Sequence, residues 1–176
     1  AITYANLGKK TLLIDGDLRK PVLHKVFNSN NKKGLTHYLS GMEEKIETII
    51  SSTDIENLEI IYSGAIPPNP SELLGSGLMS ELLKELKNQY EIILFDAPPI
   101  MAVTDAVVLS QLMDQFILVV RFGTTDKESI NHSLNALSQV GTPLTGIVFN
   151  DLNQKNSYYS KRDYSYHQYY YNTEEI

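Results

Sequence analysis

Five short apolar runs, separated by stretches with helical signals, constrain this chain more than any other feature. They are Thr11 to Asp15, Leu58 to Tyr62, Glu91 to Asp96, Gln115 to Val120 and Leu144 to Asn150. A short, nearly continuous apolar run without polar alternation reads as a strand covered on both faces. Between the runs lie helical stretches. Ser71 to Asn88 places Leu74, Leu78, Leu82 and Leu86 at helical spacing. It opens with Asn69 as N-cap, Pro70 at the first helical position and Glu72 two residues on, a capping-box arrangement. Thr104 to Asp114 reads as a shorter helix. Asp126 to Val140 reads as another, with Thr125 as its cap, Glu128 in its first turn, Gly141 as its stop and Pro143 beyond. Strands alternating with helices predict an α/β fold: a mostly parallel sheet with helices on both faces.

Bulk properties narrow the function. At 176 residues the chain is one domain with a tail, divided here as 1–156 and 157–176. A net charge of −6 argues against a general nucleic-acid binder, because phosphate backbones attract basic surfaces. There is no cysteine, which excludes disulfides and thiolate metal sites and fits a reducing compartment. No apolar run approaches the roughly 18–20 residues of a membrane span. The opening, Ala1 to Gly8, lacks a basic-then-apolar signal layout and reads as the last turns of a helix closed by a glycine. A chain that opens this way is expected to have lost its front.

Two strand ends carry the chemistry. Leu12-Leu13-Ile14-Asp15-Gly16-Asp17-Leu18-Arg19-Lys20-Pro21 puts two carboxylates, two positions apart, where a buried strand stops. Open α/β sheets bind ligands at the C-terminal ends of their strands. Paired hard oxygens suit Mg²⁺ or a general base, and a solvated Asp-Gly turn is the plain alternative. Ile92-Ile93-Leu94-Phe95-Asp96-Ala97-Pro98-Pro99 is an apolar strand ending in one Asp, the Walker B pattern, whose carboxylate holds Mg²⁺ through water. The two prolines end that strand abruptly. His24, His37, His132 and His167 are scattered, with no metal-binding spacing.

Together these stretches resemble bacterial tyrosine kinases of the capsular and exopolysaccharide biosynthesis family. The first resembles their Walker A′ motif and the second their Walker B. Ile66-Pro67-Pro68-Asn69-Pro70-Ser71-Glu72-Leu73-Leu74 is similar to a characteristic string of that family, and so is Val103-Thr104-Asp105-Ala106. The resemblance covers essentially the whole chain. It implies a P-loop NTPase-like fold of the MinD/ParA type, ATP and Mg²⁺ as cofactors, and phosphoryl transfer to tyrosine. Residue by residue, it implies Asp15 near Mg²⁺ as the acceptor of the substrate tyrosine's proton, Asp17 supporting the metal and phosphate site, and Asp96 organising Mg²⁺. Asn150 is expected to reach the adenine. Arg19 is expected to contact phosphate or a neighbouring subunit, with Lys20 beside it, and a solvated basic turn is the alternative for both. Arg121, before Phe122-Gly123, is expected to border the nucleotide, or else to belong to a plain loop.

The family's phosphate-cradling loop, G-x-x-x-x-G-K-[ST], occurs nowhere in the 176 residues. With the N-terminal strand and P-loop missing, poor or absent ATP binding is expected. The resemblance also implies a ring-shaped homo-oligomer, a fused or separate polysaccharide co-polymerase membrane domain, a tyrosine phosphatase as partner, no nucleic acid, and a cytoplasmic place at the inner face of the cell membrane.

From Ser157 on, aliphatic residues vanish until Ile176, while Tyr158, Tyr159, Tyr164, Tyr166, Tyr169, Tyr170 and Tyr171 crowd together. Without aliphatic partners such a segment is expected to be a flexible tail, and beside the kinase-like motifs its tyrosines are the expected phosphorylation sites. Each phosphate would add about −1.5 to −2 of charge, so crowded modified tails would repel one another. Two other functions compete. A MinD/ParA-like positioning ATPase shares both Asp motifs; a membrane-targeting version would end in a basic amphipathic helix, where this sequence ends in tyrosines and acids. A non-catalytic phospho-acceptor fragment is the third reading.

Overall fold

The computed structural model of the chain describes residues 1–152. The tail tyrosines, His167 and the division after residue 156 lie outside the described residues. The strands are β1 (Thr11–Asp15), β2 (Ile50–Ser52), β3 (Leu58–Ile61), β4 (Ile92–Asp96), β5 (Phe116–Arg121) and β6 (Leu144–Asn150). The helices are α1 (Ile2–Asn6), α2 (Leu23–Val26), α3 (Leu35–Leu39), α4 (Pro70–Leu74), α5 (Gly77–Leu86), α6 (Asp105–Ser110) and α7 (Lys127–Gln139). All five runs read from sequence are strands, with ends shifted by at most a residue.

Their pairing is mostly parallel, as alternation with helices requires. β1 lies between β3 and β4, parallel to both, and β5 is parallel to β6. The short β2 adds an antiparallel edge to β3, giving a four-stranded sheet in the order β2-β3-β1-β4. Among the described residues β5 and β6 form a separate two-stranded sheet, so the strands are hydrogen-bonded as four plus two.

Alternation along β1 serves both faces of the larger sheet. Leu12 and Ile14 enter the main core with Leu35 and Leu39 of α3, Leu74 of α4, Met79, Leu82 and Leu86 of α5, and Leu109 of α6. On the opposite face Leu13 packs with Ile60, Tyr62 and, from α2 and its end, Leu23 and Phe27. Helices thus cover both faces of the four-stranded sheet. Among the described residues no helix is long and apolar enough to cross a membrane.

The helices depart from expectation at four places, one being α6, which ends at Ser110 where Asp114 was expected. The stretch from Ser71 to Asn88 is two helices, because Gly75 closes α4 and Ser76 opens α5 by accepting the Met79 N–H at 3.3 Å. A Cβ at Gly75 would come within 3.1 Å of Val108 on α6, so this break also lets the chain approach α6 closely. The break turns the surface of α5: Leu78 is 39% exposed, while Met79 and Leu83 take the buried side. Asn69 does not cap the backbone of α4; its amide donates to Glu72 Oε2 at 2.7 Å instead. At α7 the cap is Asp126, which accepts the Ser129 N–H at 2.8 Å, while Thr125 accepts the Arg121 N–H at 3.1 Å. At the opposite end of the chain Gly8 follows α1 with φ +77°, the left-handed conformation a helix-closing glycine supplies.

Candidate functional site

Parallel pairing brings the two Asp-bearing strand ends side by side. In the β1–β4 register Asp15 stands opposite Asp96, the last pair of the ladder. Gly16 makes the closure possible. Its N–H donates to the Asp96 carbonyl at 2.8 Å. A Cβ there would sit 3.0 Å from that oxygen and 3.2 Å from Leu109 Cδ1.

The carboxylates differ in surroundings. Asp15 is fully buried. Its Oδ2 accepts the Leu23 N–H at 3.2 Å, and its Oδ1 has no protein partner. Burial pushes its pKa above the usual carboxylate value, the negative charges of Asp96 and Asp17 add to this, and the Leu23 N–H opposes it. Asp96 is accessible at its strand end. Partial desolvation followed by repulsion from Asp17 pushes its pKa up as well. Asp17 holds the turn that follows β1: its Oδ1 accepts the N–H of Arg19 at 3.0 Å and of Lys20 at 2.9 Å.

This is a site in want of positive charge. Three acidic side chains influence one another, and one buried oxygen has an unused lone pair. Among the described residues no three His, Asp or Glu side chains close into a metal cage. Mg²⁺ keeps several waters and is held by one or two carboxylates together with substrate phosphates, a number that Asp15 and Asp96 meet. The donor set therefore fits Mg²⁺: Asp15 and Asp96 would hold it, and hard oxygens are what it prefers.

Arg19, expected to reach a phosphate, turns its guanidinium inward. Nε donates to Asp105 Oδ2 at 2.8 Å and Nη2 to Asp105 Oδ1 at 3.0 Å. Asp105 is the residue that sequence reasoning passed over. It was visible only as part of Val103-Thr104-Asp105-Ala106, and an Asp opening a helix reads as a solvated first-turn acid. Its complete burial is a tertiary fact.

Arg121 and Asn150 are brought together at the ends of β5 and β6, where they stand opposite each other in the register. Arg121 Nε pairs with Asp151 Oδ2 at 2.7 Å, and both side chains are largely exposed. Asn150 Oδ1 accepts the Asp151 N–H at 2.8 Å. A cavity of about 510 Å³ lies between β5 and β4. Phe95, Asp96, Pro98, Ile117, Val119 and Ser133 are among its lining residues, so Asp96 borders both the carboxylate cluster and this space. Of the histidines, His24 and His37 each bury an Nδ1 with no partner among the described residues.

Comparisons with known proteins bear on the family of the chain. The family model described as AAA domain matches residues 1–145. Tyrosine-protein kinase YwqD of Bacillus subtilis (strain 168) is 38% identical over 167 residues, which is 93% of this chain and 70% of that protein. Tyrosine-protein kinase ptk of Acinetobacter johnsonii is 35% identical over 159 residues, and there the chain spans only 22% of its relative's length. Among solved structures, the kinase domain of Escherichia coli tyrosine kinase ETK superposes with a TM-score of 0.84 at 33% identity. That match covers 89% of this chain and 61% of the other. A shared fold, shared sequence over nearly the whole chain and adjoining Asp-bearing strand ends lead to one conclusion: the chain belongs to the bacterial tyrosine kinase family.

Proposed function

We propose that this chain is the metal-organising and acceptor-bearing part of an ATP- and Mg²⁺-dependent protein tyrosine kinase. The observation that carries the reading is the pairing of Asp15 with Asp96 at the C-terminal ends of β1 and β4, with Asp15 Oδ1 buried and unpartnered. Mg²⁺, when bound, supplies positive charge to the transferring phosphoryl group. Asp96 and Asp15 supply the oxygens for it. Asp15 also takes the proton from the attacking tyrosine hydroxyl, whose ordinary pKa is about 10. Asp17 keeps the turn closed and its second oxygen available. Asn150 and Arg121, at the neighbouring strand ends, form the nucleotide-facing edge.

The glycine-lysine string whose backbone N–H groups cradle phosphate does not occur in the 176 residues. The acceptors in this reading are Tyr158, Tyr159, Tyr164, Tyr166, Tyr169, Tyr170 and Tyr171, modified in trans between subunits of a ring. The cellular role is regulation of capsule or exopolysaccharide polymerisation and export. It would be carried out at the cytoplasmic face of the membrane, beside a co-polymerase membrane domain and reversed by a tyrosine phosphatase.

Incubation with γ-labelled ATP and Mg²⁺, with and without YwqD as an intact relative, tests the reading. Labelled phosphotyrosine on this chain when YwqD is present, lost when the seven tail tyrosines are changed to Phe, is the expected result. Label without YwqD as well would make the chain a complete kinase. Absence of label in both mixtures would overturn the proposal and favour a positioning ATPase on the same fold.

A further inference from the structure

We propose that Asp105 is a positioning residue for the carboxylate-bearing turn after β1, acting through Arg19 and Ser71. This rests on the reading of Asp15 and Asp17 as working parts of the site. Asp105 has no solvent exposure, and a buried carboxylate persists as an ion only when it is paired and hydrogen-bonded. Its partners come from two distant parts of the chain. The Arg19 fork grips both of its oxygens, at 2.8 and 3.0 Å. The Ser71 hydroxyl donates to Oδ1 and lies 3.3 Å from both Arg19 Nη2 and Thr104 Oγ1. Desolvation alone would raise the pKa of Asp105, but the hydrogen bonds from Arg19 and Ser71 outweigh it and hold the carboxyl below its ordinary value.

Three separate stretches of sequence therefore meet at one buried charge: the Asp-Gly-Asp turn, the Pro-Pro-Asn-Pro-Ser string and the Val-Thr-Asp-Ala string. The direction of influence follows from the hydrogen bonds. Arg19 is the residue whose own N–H, at 3.0 Å, anchors Asp17 Oδ1. Fixing its guanidinium on α6 fixes that N–H, and with it the Asp17 carboxylate. The next fixed point is the Leu23 N–H on Asp15 Oδ2, at 3.2 Å. The segment from Asp15 to Leu23 is thus pinned at Asp15, at Asp17 and at the Arg19–Asp105 fork, with fully buried Leu18 between the pins. A bidentate fork fixes orientation in a way a single-point charge does not. The internal pairing also uses up the positive charge of Arg19, so its task is to hold the turn.

Amide hydrogen exchange on the 176-residue chain tests this, comparing wild type with Arg19→Lys and Asp105→Asn. The quantity is the exchange rate of the Arg19, Lys20 and Leu23 amides divided by that of the β1 amides of Leu12, Leu13 and Ile14. Local release of the turn raises this ratio by about tenfold in either variant. A residue that merely glues the fold together loosens all amides alike, so an unchanged or lowered ratio overturns the proposal. Should Asp105→Asn fail to fold, Arg19→Lys decides, since it keeps the charge and loses only the fork. Absence of labelled tyrosine in the assay with YwqD would remove the kinase reading and leave the exchange result standing.

Discussion

Two buried aspartates of this chain face opposite electrostatic situations, and their pH behaviour separates them. Asp15 is held away from water, and backbone N–H groups offset that only in part, so its ionised form is disfavoured. Asp105 is equally buried but sits in an arginine fork, so its ionised form is favoured. For a carboxylate with a depressed folded pKa, stability is present above the ordinary value near 3.8 and is lost as pH falls through the folded pKa. Removing one partner of a fully buried pair costs about 3–5 kcal/mol, and because Arg19 is partly exposed and can rehydrate, Asp105→Asn should cost less, about 2–3 kcal/mol at pH 7. Denaturant titrations of wild type and variant should show this gap at pH 7 and show it shrinking below pH 4, as the unfolded chain's carboxylate takes up a proton that the folded one binds only at lower pH. A gap independent of pH would mean that Asp105 contributes by shape and not by charge. Residue chemistry of this kind was half legible in the sequence. Asp15, Asp17 and Asp96 announced themselves by ending apolar runs. Asp105 and Ser71 did not, because nothing in a linear string states that a first-turn Asp will be buried against an arginine far away.

At the scale of elements, local signals located what they act on and missed what packing decides. The strands were legible because each is a compact apolar run that only a buried sheet accommodates. β2 was not, since Ile50-Ser51-Ser52 is short and polar and is a strand only through its pairing with β3. The leucines at every fourth position from Leu74 read as one helix, yet the Gly75-Ser76-Gly77 stretch breaks it, and the hydroxyl of Ser76 starts the second helix. Ser76→Ala removes the acceptor for the Met79 N–H and should cost about 1 kcal/mol in urea unfolding, whereas Ser76→Asp should cost close to nothing. Equal losses in both would place the effect in the packing of the break and not in the cap. The cap of α7 illustrates the same limit: Thr125 and Asp126 are both capping types, and only the fold settles that Thr125 is engaged by the Arg121 N–H.

At the scale of the whole molecule, the fold class was legible from alternation, but the division of its strands was not. β4 offers one edge to β1, while its other side faces β5 across the cavity. The β5–β6 pair leaves Ile117 at 53% and Val119 at 62% exposure, whereas the apolar residues of β1, β3 and β4 are buried or half-buried. Asp96, at the end of β4, lines that space, and Asp15 stands opposite it in the β1–β4 register. Because the folded pKa values of Asp15 and Asp96 are raised, the folded state binds more protons there than the unfolded one. Stability from these two groups therefore falls as pH rises through the interval above 3.8, and at neutral pH their ionised forms oppose folding. A divalent cation that binds the folded pair reverses this opposition. The decisive measurement is the thermal midpoint of the 176-residue chain at pH 7, with and without millimolar Mg²⁺, for wild type and for Asp15→Asn/Asp96→Asn. The account predicts that Mg²⁺ raises the wild-type midpoint by about 2–4 °C, and that the double variant melts higher than wild type without Mg²⁺ and does not respond to it. An equal response in both proteins, or none in wild type, would contradict the assignment of the paired strand-end carboxylates as the metal site of a kinase.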